Sequence, residues 1–221
     1  MLVWLLELFV TNGRVKMANH VSFHINIEQM NDAATARFKE MTSNLVQDSS
    51  NECWFGDLWV DGKDGSPTSD EVRQYEWTCN NIGPKWAHIH DFDDNTITGY
   101  SAWSAPEMGV EKILEELSKL DPKMITYLTY DDEMPNFVGC YIYEGNEMVD
   151  GFEDDADELR DRVIAESERL TEESWDEEND DWVDDETRDI FDEEMWEVVN
   201  DAQIMLIERT MEMIKDDQQN D

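Results

Sequence analysis

The sequence predicts an α+β fold: an antiparallel sheet of the split β-α-β type with helices on one face over residues 17–150, then an acidic all-helical C-terminal region over 151–221. Three observations predict it. Apolar residues alternate with period two at Val21, Phe23, Ile25 and Ile27, then recur at helical spacing at Ala34, Phe38, Met41 and Leu45, which is a β-α start. Two further pairs of strand-like runs, 86–90 with 96–103 and 124–130 with 137–143, flank an amphipathic helical run at 106–120. After Gly151 period and charge both change: residues 151–221 hold 29 Asp or Glu against 6 Lys or Arg, whereas residues 1–150 hold 26 against 10.

The opening MLVWLLELFV contains Glu7 and is too short to span a bilayer. It also lacks the basic flank and small-residue cleavage site of a signal peptide. Residues 1–16 therefore read as an upstream-start extension of a domain that begins at Met17, with an extra core helix or an interfacial anchor as the alternative. Asn31 or Asp32 caps the first helix. Residues 47–68 are rich in Gly, Ser and Asp and carry Trp54, Phe55 and Trp59, the mark of an irregular insertion whose aromatics pack back onto the core. A short helix from Ser69 to Cys79 ends at Asn81, Gly83 and Pro84, so the insertion reaches about residue 85.

The hairpin that follows turns at DFDDN, and Pro106 opens a helix that presents Val110, Ile113, Leu114, Leu117 and Leu120 on one face. The last strand pair turns at DDEMPN, with a further turn at Gly145 and Asn146. Beyond it, one helix is expected over 154–170, with Leu159, Val163, Ile164 and Leu170 inward. A second is expected over 184–215, with Phe191, Met195, Val198, Ala202 and Met205 on one stripe and Val199, Leu206 and Met213 adjoining. So wide an apolar face requires burial against more than one neighbour, in this chain or in a second copy.

The formal charge of -39 repels nucleic-acid backbones and anionic membranes, and 40% hydrophobic content supports a core. Cys53, Cys79 and Cys140 form no CxxC pair, so they read as reduced thiols of a cytoplasmic protein.

At NIGPKW (81–86), AWSAP (102–106) and YDDEMPNFVGCYIYEGNE (130–147), the chain resembles the YubB-like ferredoxin-fold family of phages and plasmids. The matching positions are Asn81, Gly83, Lys85 and Trp86, then Trp103 and Pro106, then Tyr130, Glu133, Phe137 and Gly139. The resemblance covers about residues 17–150. It implies a ferredoxin-like sheet, a mobile-element origin and residence in the host cytoplasm, and it implies no activity. Lys85 reads either as an internal ion pair or as a holder of a carboxylate or phosphate beside Trp86.

HIHDFDD is the nearest thing to a metal constellation, with His88, His90, Asp91 and Asp93 as weak candidates, and His20 and His24 able to join if their strands are adjacent. No HExxH, GxSxG elbow or Gly-rich phosphate loop accompanies it, and no cofactor is expected. A calcium loop fails at Asp181 and Thr187. Trp86, Trp103, Tyr127, Tyr141 and Tyr143 read as sheet packing, because an RNA-binding pattern is missing and the charge is wrong for one. The partner-binding residues are therefore sought in the acidic helices: Trp175, Glu177, Glu178, Asp180, Asp181, Trp182, Asp184, Asp185, Glu186, Asp192 and Glu193. The expected function is a non-enzymatic accessory protein that binds a basic partner protein through this surface, with no direct contact to nucleic acid or membrane. Its sharpest form is a DNA mimic that inhibits a nucleic-acid-binding host or defence protein. The other classes are a metal-dependent enzyme using the His88–Asp94 cluster, and an assembly role in which the long last helix forms a homodimer.

Overall fold

A computed structural model of the chain describes residues 9–11, 14–16, 19–133, 136–179 and 181–220. Most of the expected extension at 1–16 lies outside these, as does Asp180. Within the extension, β1 (Phe9–Thr11) and β2 (Arg14–Lys16) pair as a separate antiparallel hairpin. Then come β3 (His20–Glu28), α1 (Asp32–Thr42), β4 (Cys53–Trp54), a 3-10 turn (Phe55–Trp59), α2 (Ser69–Val72), α3 (Tyr75–Asn81), β5 (Ala87–Phe92) and β6 (Thr96–Ala102). The chain continues with α4 (Glu107–Leu117), β7 (Ile125–Asp132), β8 (Phe137–Glu144), β9 (Glu147–Asp155) and α5 (Ala156–Glu166). It ends with the short β10 (Trp175–Asp176), β11 (Asp181–Trp182) and α6 (Asp185–Asn220).

Seven strands form one antiparallel sheet in the order β4-β5-β6-β3-β7-β8-β9. The period-two residues of β3 all point to the face covered by α1 and α4, where Phe38, Met41, Val110, Ile113 and Leu117 meet Phe23, Ile25, Leu128 and Tyr130. The insertion contributes Phe55, Leu58 and Trp59 to the same core, as its aromatics predict. Asn31 starts α1, its side-chain oxygen accepting from the backbone N–H of Ala33 and Ala34 at 3.0 and 2.9 Å.

The helices do not stay on one face. Val138, Cys140 and Ile142 of β8 point away from α4 and are covered by α5 and α6, through Leu159, Val163, Phe191, Met195 and Val199 at one end and Leu206, Met211 and Ile214 at the other. That buries α6 against two clusters within this chain, while Met205 and Met213 of the expected stripe stay 68% and 50% exposed. The region after 151 is not all helical either. Residues 151–155 complete β9, so the expected boundary at 150 falls inside a strand. The first C-terminal helix starts at Ala156 because Asp155 forms a capping box with Glu158, while Asp154 faces the helical layer and accepts from Arg162 at 3.0 Å. Among the described residues, no helix is long and apolar enough to cross a membrane.

Candidate functional site

The second face of the sheet has two halves, and both hold residues that the sequence singles out. Over β7–β9 lies the acidic layer of α5 and α6. There Trp175 and Trp182 sit opposite each other in the β10–β11 hairpin with rings 5.2 Å apart and edge-to-face, and Trp182 lies 4.8 Å from Phe191. Arg160 stacks on Trp175 at 4.5 Å. Both tryptophans are half-buried, so they pin the hairpin to the helices rather than standing out as anchors.

The carboxylates sort into two groups. Asp181 pairs with Arg188, Glu193 with Arg169 at 3.1 Å, and Asp184 accepts from the backbone N–H of Thr187 at 2.8 Å, capping α6. These contacts hold the Asp181 and Asp184 carboxyls below the usual carboxylate range, through the Arg188 hydrogen bond and the Thr187 backbone hydrogen bond respectively. Asp185 lies 3.8 Å from Arg188. Glu177, Glu178, Glu186 and Asp192 are exposed and point to solvent from the loop and from α6. Trp196, 43% exposed on α6 among these acids, is absent from the predicted set. Its place one residue after the inward Met195 is the signal that could have found it.

Over β5, β6 and β3 the same face carries no helix from α5 or α6. The chain has four histidines, and all four lie here: His20 and His24 on β3, His88 and His90 on β5. Three of them surround Tyr100 of β6, whose ring stacks beside those of His20, His88 and His90 at 5.6, 5.7 and 6.0 Å. Trp86 meets His20 edge-on at 5.2 Å, and Trp54 meets His88 at 4.8 Å. His24 shares a hydrogen bond of 2.8 Å with Thr98. Burial pushes the pKa of His88 and of His24 down, against the opposing pull of Glu52 on the first and Asp93 on the second.

β3 and β5 are not neighbours, because β6 separates them, so the histidines meet through Tyr100 rather than directly. The metal candidates spread apart: the ladder shifts register between Ile89 and Asp91, at His90, and Asp93 is occupied in the turn, accepting from the backbone N–H of Asn95 and Thr96 at 2.9 Å each. Among the described residues, no group of three or more His, Cys, Asp or Glu is placed to hold a metal ion.

The motif residues divide between these halves and the core. Lys85 is exposed, Trp86 lies on the ring-lined half, and Glu133 reaches His20 at 4.0 Å. Asn81 accepts from Lys112 at 3.0 Å and donates to the Trp77 carbonyl at 2.8 Å, while Gly83 takes φ +108° in the turn before Lys85. Trp103 is 49% exposed and holds φ +74°, a conformation disfavoured for a bulky residue, just before Pro106. Tyr130 is buried beside Phe137 and donates to Glu153. Its ring crosses Gly139, where an added Cβ would stand 2.3 Å from it. That motif is a packing unit. Comparison of the chain with protein-family profiles, with curated proteins and with solved structures found no match.

Proposed function

We propose that the chain is a non-enzymatic accessory protein of a phage or other mobile element, acting in the host cytoplasm, that binds a basic partner protein through the carboxylates of its helical layer. The observation that carries this reading is the docking of α6. Its 36 residues span about 54 Å at the α-helical rise, and Phe191, Met195, Val199, Leu206 and Ile214 tie it down along that length. The outward carboxylates are thereby held in a fixed array instead of a solvated tail. A fixed array loses little conformational entropy on binding, and its field accelerates encounter with a positive surface. A DNA mimic is the narrower form of the same reading, since duplex DNA also presents a rigid row of negative charge.

For residues 17–150 we infer a ferredoxin-like core of the YubB-like type. The order β7-β3-β6-β5 with α1 and α4 as crossovers supports it, since the split β-α-β arrangement joins its strands in this way.

The test uses the full chain, because a version stopped at Asp150 would strip the cover from Val138, Cys140 and Ile142. Glu177, Glu178, Glu186 and Asp192 are changed to Lys, and each form is titrated with a nucleic-acid-binding protein of the host over a salt series. Salt-dependent binding that the variant loses supports the reading, and competition by duplex DNA selects mimicry. Equal binding by both forms removes it.

A further inference from the structure

We propose that the half of the sheet formed by β5, β6 and β3 takes the guanidinium group of an arginine presented by a cationic segment of a protein partner, stacked on the outer face of the His20 ring, which ends the His20–Tyr100–His88 stack, and paired with Glu133. This rests on the preceding reading that the partner is basic, and adds where and by what chemistry one of its side chains is recognised.

The rings of His20, Tyr100 and His88 run from β3 across β6 to β5, lying within 16° and 21° of parallel with centroids 5.6 and 5.7 Å apart. A carboxylate stands at each end. Glu133 lies 4.0 Å from His20, and Glu52 lies 3.6 Å from His88 and also meets the Tyr100 hydroxyl. The row is reachable, since the His20 side chain is 52% exposed and His90 beside it is exposed. A guanidinium is planar and weakly hydrated, so it can lie on a ring while its N–H fork donates to a carboxylate. An ammonium does the second well and the first poorly.

The chain already uses this combination twice. Arg160 lies 4.5 Å over Trp175 while donating to Asp157 and Asp161 at 2.8 and 2.9 Å, and Arg162 lies 4.8 Å over Phe152 while paired with Asp154. A phosphate-bearing ligand would face both carboxylates and the charge of the whole chain, which excludes a stacked nucleotide.

Oligo-arginine and oligo-lysine peptides of equal length separate this inference from plain charge attraction. Each is titrated into the full chain, into a His20→Ala, Glu133→Gln variant, and into Tyr100→Leu. The four histidine ring signals, all from this half, are followed by NMR. The arginine peptide should bind about five-fold tighter than the lysine peptide, the scale of one or two exposed cation-ring contacts, and should move the His20 ring signal. Both variants should bring the two peptides to parity by weakening the arginine peptide more than the lysine peptide. Equal binding by the unaltered chain, a preference that survives in the variants, or an unmoved His20 ring signal would overturn the inference. The reading of the acidic layer fails separately, if the lysine peptide does not bind or binds the form with Glu177, Glu178, Glu186 and Asp192 changed to Lys equally well. An arginine preference that persists through that reversal keeps the ring row even then.

Discussion

One sheet face is finished in two different ways. Over β8 and the Ile125 end of β7 it is apolar and covered, with Cys140 and Ile142 buried beneath α6 and Val138 beneath α5 and α6. Over β5, β6 and β3 it is lined with imidazoles, hydroxyls and amides and lies outside the cover of α5 and α6, with His20, Ser22, His24 and Asn26 alternating along β3. Both halves belong to the same hydrogen-bonded ladder, so backbone geometry does not decide which is covered. The side chains do. An aliphatic row gains from being removed from water, whereas a polar row would lose its hydration unless every group found a partner. The acidic layer stops where the aliphatic row stops.

The largest break in this comparison comes from the covered half. Leu159→Ala or Met195→Ala removes a side chain buried between helix and strand and should cost about 2–5 kcal/mol in urea unfolding. His20→Ala on the histidine-lined half should cost no more than about 0.5 kcal/mol. Equal losses would show that the two halves are not different in kind.

Next in size is Gly139→Ala, where the new Cβ meets the Tyr130 ring at 2.3 Å; a loss of about 1–3 kcal/mol by the same measurement is expected from the forced shift. Tyr130→Leu in the same chain should recover part of it.

A smaller effect sharpens the histidine-lined half through pH. The folded pKa values of His24 and His88 lie below the ordinary 6.5, chiefly through burial. Between 6.5 and those lower values the unfolded chain binds the extra protons, so the stability contributed by neutral imidazoles is present above 6.5 and is lost as pH falls below it. His88→Asn should flatten that decline in unfolding curves recorded from neutral pH down to about one unit below the histidine value. A decline identical to that of the unaltered chain would contradict the assignment.

Much of the fold was legible. The alternation in HVSFHINIE identified β3, and the spacing of Val110, Ile113, Leu114 and Leu117 identified α4, because both signals are periodic and local. The second layer was legible too, in a signal read too narrowly. FVGCYIY is apolar at both parities, which marks a strand covered on two faces, whereas β3 carries polar residues at every second position, which marks one with a polar face. The start of α5 depended on how Asp154 and Asp155 divide strand and cap, and composition alone cannot place a one-residue switch of that kind.

The candidate sites were less legible. His20 and His88 lie on strands separated by β6, so their shared neighbour Tyr100 emerges only from strand order. The sequence leaves open whether Trp175 and Trp182 are buried or exposed, because the ring and the guanidinium that each finds within the chain are contacts set by tertiary packing.

The claim that the carboxylates form a fixed array is tested most directly by amide hydrogen exchange along residues 185–216. Docked as described, the amides of Phe191, Met195, Val199 and Leu206 should exchange as slowly as those of Val138, Cys140 and Ile142 beneath them, at rates tied to opening of the sheet. Exchange at the rate of a solvated peptide, with β8 still protected, would mean that the acid is a mobile tail and would contradict the account.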